Sequence, residues 1–376
     1  MLGARLAVLL VAVASCSSGG EEGGPGRRSA EAPAAAVAGP AAAPRETYLK
    51  GQLHLHSAAS GDSDTPAADV VRWYADAGFD FIVFTDHNRI TAPPRDAGDL
   101  LVFPGVELTQ NLDACEPAPE PGLQCLLHVN ALFVDPARGE LLVSRPLPPS
   151  VRRVDRYSFA AALSGDLGGL ALLNHPNFHY GADASVIRGV AQALAEAGRG
   201  PLLLEVANMA IDSNNGGDAA HPSTEALWDE VLSAGHRVYG VATDDAHHYY
   251  DAAARVDRGE EAFVGDRGFV MVRAARDEEA IRAALVRGDF YASDGLLLDR
   301  AEVSGDALVI QASAGAAAPV TTRFIAGGGA LVREVVGDAA RLELSAVAGS
   351  AYVRAEVVDA DGKRAWVQPV WLDPGS

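Results

Sequence analysis

The spacing of apolar and polar positions divides the chain between residues 47 and 295 into two alternating kinds of segment. Short apolar runs predict strands at Tyr48 to Ser57, Phe79 to Thr85, Leu100 to Val106, Cys125 to Val134, Leu170 to Leu173, Pro201 to Val206, His236 to Ala242 and Phe269 to Val272. Helical spacing separates them. Val70, Val71, Trp73 and Tyr74 mark one face of a helix over Ala67 to Ala77, which follows Asp64-Thr65-Pro66 and stops at Gly78. Further helices are predicted over Ser158 to Leu167, Ala184 to Ala197 and Glu225 to Ala234, and from the cap residue Asp277 to Gly288. This alternation predicts a parallel α/β architecture of seven or eight strands.

From about Leu296 the texture changes. Short alternating segments (307–311, 321–325, 341–344 and 352–357) are separated by Gly, Asp and Ala, and Asp361-Gly362 is a two-residue hairpin signal. Residues 296–376 are therefore expected to form a small antiparallel, sandwich-like β domain packed on the first.

The predicted strands end on chemistry. His54 and His56, two apart, project to one face of an extended segment. Alone, such a pair is an ordinary solvated strand face. Yet the later strand ends carry Asp86-His87, Glu107, His128, Asn174-His175 and Asp244-Asp245-Ala246-His247-His248. Six of the ten histidines (54, 56, 87, 128, 175 and 247) thus sit at or beside predicted strand ends, which fits a polynuclear metal site at the C-terminal ends of barrel strands.

Composition changes the picture in two places. Over 376 residues, 48% apolar and 21% charged content are globular values, and a net charge of −20 argues against a nucleic-acid scaffold or an anionic bilayer as the main partner. It leaves room for an anionic small substrate, because bound cations would dominate the field inside a site. The start of the chain is different. Arg5 precedes an apolar run from Leu6 to Ala14, long enough for a signal sequence and too short to span a bilayer. Val13-Ala14-Ser15-Cys16 is similar to a bacterial lipobox, with Cys16 as the lipidated residue, although an ordinary signal peptide with a chance cysteine fits the same residues. Residues 17–46 read as a flexible Ala, Gly and Pro linker. The expectation is an exported protein, lipid-anchored to a membrane and facing the periplasm or cell exterior. In such an oxidising compartment, Cys115 and Cys125, which flank a Pro-rich loop, read most simply as a disulfide, with thiolate metal ligation as the alternative.

Taken in order, His54-Leu55-His56-Ser57, Thr85-Asp86-His87, Gly105-Val106-Glu107, His128, Asn174-His175-Pro176 and Asp245-Ala246-His247 resemble the motifs of the PHP (polymerase and histidinol phosphatase) metallohydrolases over residues 47–295. Leu204-Glu205-Val206-Ala207-Asn208, the segment Gly288 to Gly295, and Ala365-Trp366-Val367-Gln368-Pro369 are similar to the carbaryl-hydrolase-like branch of that family. The resemblance implies a distorted (β/α)7 barrel holding two or three divalent cations (Zn, Mn or Fe). By that resemblance His54, His56, Glu107 and Asp245 would hold one ion, and Glu107 would bridge to a second held by His128 and His175. Asp62, His87 and His247 would serve a third position, where Asp64 competes with Asp62. Asp86 would orient a ligand imidazole.

The activity this implies is hydrolysis. Close cations lower the pKa of a bridging water so that hydroxide is present near neutral pH to attack an ester. A phosphoester is the leading substrate, and a carbamate or carboxyl ester is the alternative. His248, His179 and Asp244 are candidates to protonate the leaving oxygen, and Arg89 to hold a phosphate. A reading of another class, a non-catalytic metal-binding surface lipoprotein, stands beside these.

Overall fold

Gly51 shows how closely the first strands pack, because the ring of Phe81 lies 1.9 Å from where a Cβ would stand. The computed structural model describes residues 48–372, so the signal segment, Cys16 and the whole linker lie outside the described residues. The first part of the described chain contains strands β1 (Tyr48–Gln52), β2 (Phe81–Val83), β3 (Leu101–Phe103), β4 (Gly105–Leu112), β5 (Cys125–Leu132), β6 (Leu170–Leu173), β7 (Leu202–Asn208), β8 (Val238–Thr243), β9 (Phe269–Arg273) and β10 (Phe290–Ser293). Its helices are α1 (Ala67–Asp76), α2 (Leu141–Ser144), α3 (Arg153–Asp166), α4 (Ala184–Glu196), α5 (Thr224–Ser233), α6 (Ala252–Asp257) and α7 (Glu278–Arg287). Local chemistry sets several of these bounds. Asp183, Ser223 and Asp277 cap α4, α5 and α7 by accepting from the third following N–H, and α7 stops at Gly288 with φ +80°.

The remaining strands, β11 (Leu298–Ser304), β12 (Ala307–Ala312), β13 (Thr321–Ala326), β14 (Ala330–Val336), β15 (Ala339–Glu343), β16 (Tyr352–Val358) and β17 (Arg364–Trp371), form an antiparallel region, as the alternating texture predicts. Asp361-Gly362 lies in the turn between β16 and β17, and Asp359 Oδ1 accepts from both Asp361 N and Lys363 N there.

Strand order departs from a simple parallel repeat. One sheet runs β14-β13-β16-β17-β10-β9-β1-β2-β3, a second runs β4-β5-β6-β7-β8, and a third runs β11-β12-β15. Only β1-β2-β3 and β6-β7-β8 are parallel; β4-β5-β6 and β1-β9-β10 are antiparallel. The physical reason is plain at β4 and β5, whose connection carries no helix to cross over the sheet. No sheet closes on itself among the described residues, and the chain is a mixed α/β fold with an antiparallel C-terminal region. The two larger sheets adjoin where Pro104 alone separates β3 from β4, and isolated parallel bridges join Leu55 to Ala246 and His87 to Glu107.

One apolar core lies between these sheets, with Leu53, Phe81, Leu172, Leu203, Val241 and Val270 all buried in it. A second joins α3, α4 and α5 to the five-stranded sheet through Tyr157, Ile187 and Trp228. The C-terminal strands share the nine-stranded sheet, since β17 pairs with β10 in the register Tyr291↔Val367. They are also fastened from behind: Arg354, 1% exposed, places Nε and Nη2 each 2.7 Å from Asp229 of α5, and Gln368 bonds both N and O of Gly240 in β8. Cys115 and Cys125 are disulfide-bonded, as expected. No helix among the described residues is long and apolar enough to cross a membrane.

Candidate metal centre

The site is built at the ends of strands from both large sheets. Gln52 ends β1, and its Oε1 accepts from the N–H groups of Leu53 and His54. The chain beyond it delivers two imidazoles. His54 gives Nδ1 to Glu205 Oε1 at 2.7 Å, leaving Nε2 to face Asp245 Oδ1 at 3.2 Å. His56 gives Nδ1 to Ser60 Oγ at 2.8 Å, leaving Nε2 at 3.1 Å from the same Asp245 oxygen. Each ring is therefore oriented by one nitrogen while the other points to the centre.

Glu107, on β4, is 1% exposed and reaches both halves of the site. Its Oε1 lies 3.0 Å from His128 Nδ1 and 3.7 Å from the Nε2 atoms of His54 and His175. Its Oε2 lies 2.6 Å from His87 Nδ1 and 3.6 Å from His56 Nε2. On the remaining side Asp62 Oδ2 lies 2.9 Å from His87 Nε2 and 3.4 Å from His247 Nε2. Asp64 points away, 94% exposed, so Asp62 is the aspartate of this cluster. Two of the residues sit in a backbone conformation that L residues rarely adopt, Asp245 at φ +52° and His175 at φ +22°, as functional positions often do.

All nine residues expected as ligands fall into three groups of converging donor atoms: His54, His56 and Asp245; Glu107, His128 and His175; and His56, Asp62, His87 and His247. These buried His, Glu and Asp groups could hold metal ions. The fit is tested by atoms that have no partner inside the protein. His54 Nε2, His128 Nδ1 and Glu107 Oε2 are buried and make no hydrogen bond, although oppositely charged atoms lie close by. Burying a polar atom without a partner costs about 1–3 kcal/mol, so the cost is explained if these atoms aim at a shared point. Donors held about 2.1 Å from one ion at tetrahedral to octahedral angles stand about 3.0–3.4 Å apart. The 3.0, 3.1 and 3.2 Å separations across the His128–Glu107, His56–Asp245 and His54–Asp245 pairs match that spacing.

The charges respond to one another. Burial opposes charge on His54, but Asp245, Glu205 and Glu107 hold its pKa well above the ordinary value. Partial burial also opposes charge on His87, yet Glu107 and Asp62 raise its pKa to about 10. Burial and the neighbouring His247 press His56 down to about 3. Burial works against Glu107 ionising, yet His128, His87 and His54 keep its pKa well below the usual carboxylate range. The cluster is thus a set of coupled acids and bases in which a cation would replace protons.

Above it lies a cleft of about 250 Å³, lined on the metal side by Glu107, His128, His175, Asp245 and His247 and elsewhere by Phe178, Asn208, Ser213, His248 and Phe263. Of the residues expected to act on substrate, only His248 lies here. Asp244 is not a cleft residue: its side chain is sunk on the other side of the strand end, accepting from Gln52 Nε2, Tyr74 Oη and the N–H groups of Asp266, Arg267 and Gly268. Burial raises its pKa to about 6. His179 faces a separate cavity and accepts from Gln124 N, because the turn that presents Phe178 to the cleft turns the next residue away. Arg89 is exposed and outside the cleft. Asp86 orients no imidazole; it accepts from Ser57 N and from the hydroxyls of Ser57 and Thr91, so it fixes the backbone just after His56.

Two positioning residues carry no role in the sequence reading. Glu205 is fully buried and bonds His54 Nδ1, His175 N, Thr243 Oγ1 and Asn208 Nδ2. Asn174 Nδ2 donates to Glu107 Oε1 at 2.8 Å. A signal for Glu205 existed, since a lone carboxylate inside an apolar strand needs a partner. In comparison with known proteins, no family model matches this chain and no curated protein matches it.

Proposed function

We propose that this chain is an exported, metal-dependent hydrolase of ester bonds, a PHP-type metallohydrolase with a phosphoester as its leading substrate. The observation that carries the reading is the convergence of nine ligand-type side chains, three with unpaired buried atoms, beneath an open cleft. A structural zinc site closes on about four ligands, whereas this one has more donors and an accessible side. The order of the strand ends supports the PHP-type barrel, and the Cys115–Cys125 disulfide suits an oxidising compartment and with it the lipoprotein signal at Cys16.

His54, His56 and Asp245 would hold one ion, Glu107, His128 and His175 a second, and Asp62, His87 and His247 a third. Divalent cations bound there would supply Lewis-acid activation of water and of the ester. The chain's own residues do the rest. Glu205, Ser60 and Asn174 orient the ligands, and the apolar walls restrict solvent. Two divalent cations would offset the carboxylates of Asp62, Glu107 and Asp245 and that of Asp212 on the cleft wall, so any attraction for an anionic ester would come from direct contact with the ions. A carbamate or carboxyl ester is the second reading, because among the described residues no Lys or Arg lines the cleft to bind a phosphate directly.

The test is to load the purified protein with Mn or Zn, measure metal per chain, and assay phosphomonoester, phosphodiester, aryl carbamate and carboxyl ester substrates. Turnover that His54→Ala and Asp245→Ala abolish, each with loss of metal, is the expected result. Full loading without turnover on any class would instead indicate a metal-binding protein, and activity surviving both substitutions would overturn the site.

A further inference from the structure

Phe178 and Phe263 lie at opposite ends of a continuous row of rings. Phe178 packs on His175 at 5.0 Å between ring centroids, His175 on His54 at 5.9 Å, His54 on His56 at 5.2 Å, His56 on His247 at 4.1 Å, and His247 on Phe263 at 5.6 Å. The imidazoles between them all belong to the candidate metal groups. Both phenylalanines are partly exposed in the cleft, so the reacting region is flanked by an aromatic wall on each side.

The two ends are not equivalent. At the Phe263 end stands His248, whose backbone N–H donates to Phe263 O at 2.9 Å. The backbone N–H of Phe263 in turn donates to His248 Nδ1 at 3.0 Å. A backbone N–H can only donate, so Nδ1 is the acceptor and the ring proton of neutral His248 resides on Nε2. Nε2 makes no hydrogen bond within the described residues, which leaves this end of the cleft with a fixed N–H donor. No such side-chain donor accompanies Phe178, since His179 faces the other cavity.

We infer that the cleft accepts a two-armed ester, a phosphodiester with one apolar arm against Phe178 and the departing arm against Phe263, where His248 Nε2–H donates to the departing oxygen. This rests on the hydrolase reading above. A monoester has one arm and a second full charge, and the cleft offers it neither a use for the second aromatic wall nor a Lys or Arg. In the step itself, the oxygen of water forms the new bond to phosphorus and the bond from phosphorus to the departing oxygen breaks. One proton of that water ends on the departing oxygen, giving an alcohol and a phosphomonoester. His248 stabilises the departing oxygen as charge builds on it.

Binding tests the two-armed pocket without turnover. Diphenylphosphinate has two aryl arms and no ester bond, and phenylphosphonate has one. In calorimetric titrations of the metal-loaded protein, Phe178→Leu and Phe263→Leu are each expected to weaken diphenylphosphinate about tenfold, whereas only one of them weakens phenylphosphonate. Equal effects on both probes, or no effect on either, would overturn the pocket assignment. The role of His248 has two readouts. Long-range ¹H–¹⁵N NMR is expected to show the Nε2–H tautomer, and an Nδ1–H ring would overturn it. His248→Ala is expected to slow a diester with an alkyl leaving arm about 100-fold and bis-p-nitrophenyl phosphate far less, with His248→Gln recovering part of the loss. Equal losses on both substrates would remove His248 from the departing side. If the unaltered protein hydrolyses monoesters as fast as diesters, this inference fails while the hydrolase reading stands; if it hydrolyses no ester, the hydrolase reading itself fails.

Discussion

Glu205 does not itself line the cleft, yet it holds the ring of His54, the backbone of His175 and the amide of Asn208, which in turn donates to Asp245 Oδ2 at 3.2 Å. Glu205→Gln keeps the shape and loses the charge-assisted bonds, and one of its two amide atoms must face an N–H. It is expected to lower metal affinity about 10- to 100-fold with little change in fold, read by chelator competition alongside circular dichroism. Retained affinity would show that His54 needs no such support. At this scale the sequence was informative where residue type and position sufficed. Eight of the nine ligand-type residues lay at or beside predicted strand ends, Asp62 came from the family resemblance alone, and all nine meet. It was uninformative about side-chain direction. Asp244 and Asp245 are neighbours of the same type, but they point to opposite sides of the strand end, one into five hydrogen bonds and the other into the site. Gly51 makes the complementary point. Gly51→Ala would drive a methyl into the Phe81 ring and is expected to cost about 1–3 kcal/mol in denaturant melts.

Among the elements, the turn over residues 175–180 is the most tightly supervised. Arg153 of α3 donates from Nη1 to Tyr180 O at 2.6 Å while its Nε lies 3.4 Å from Cys115 Sγ, and Gln124 N donates to His179 Nδ1 at 2.9 Å. The disulfide loop thus leans on the turn that carries His175 and Phe178. Its ten-residue separation predicts that replacing both cysteines by serine costs about 2–3 kcal/mol, measured by urea denaturation. Metal content should stay unchanged, because none of the three donor groups draws a residue from that loop. Strand and helix positions were readable from periodicity, and the predicted runs at Leu170 to Leu173 and Phe269 to Val272 overlay β6 and β9. Strand direction was harder. Periodicity reports which residues are buried and is blind to the sense of the neighbouring strand, so it places β5 and β9 in a parallel repeat that the pairing does not follow, and it joins β3 to the start of β4 in one run, Leu100 to Val106.

At the scale of the whole molecule, the described residues 48–372 form one compact unit although the texture of the sequence changes near Leu296. The change in texture marks where helices stop. It does not mark where the sheet stops, because β17 continues it beside β10. A chain ending at residue 295 would leave β10 as an unpaired apolar edge and is expected to aggregate on expression; a soluble, cooperatively melting product would refute this. The fastening at Arg354 gives a finer test. Arg354→Met strands the buried Asp229 carboxylate and is expected to cost about 3–5 kcal/mol, and adding Asp229→Leu should recover most of it.

His56 belongs to two of the three ligand groups but has one nitrogen to give, since Ser60 occupies the other. Two ions cannot both claim it, while Glu107 offers a separate oxygen to each side. On the proposed three-ion reading, loading would therefore be staged, with the ions competing and cooperating through shared donors. A stepped isotherm, with the position at Asp62, His87 and His247 filling last and emptying first, is the signature of that arrangement.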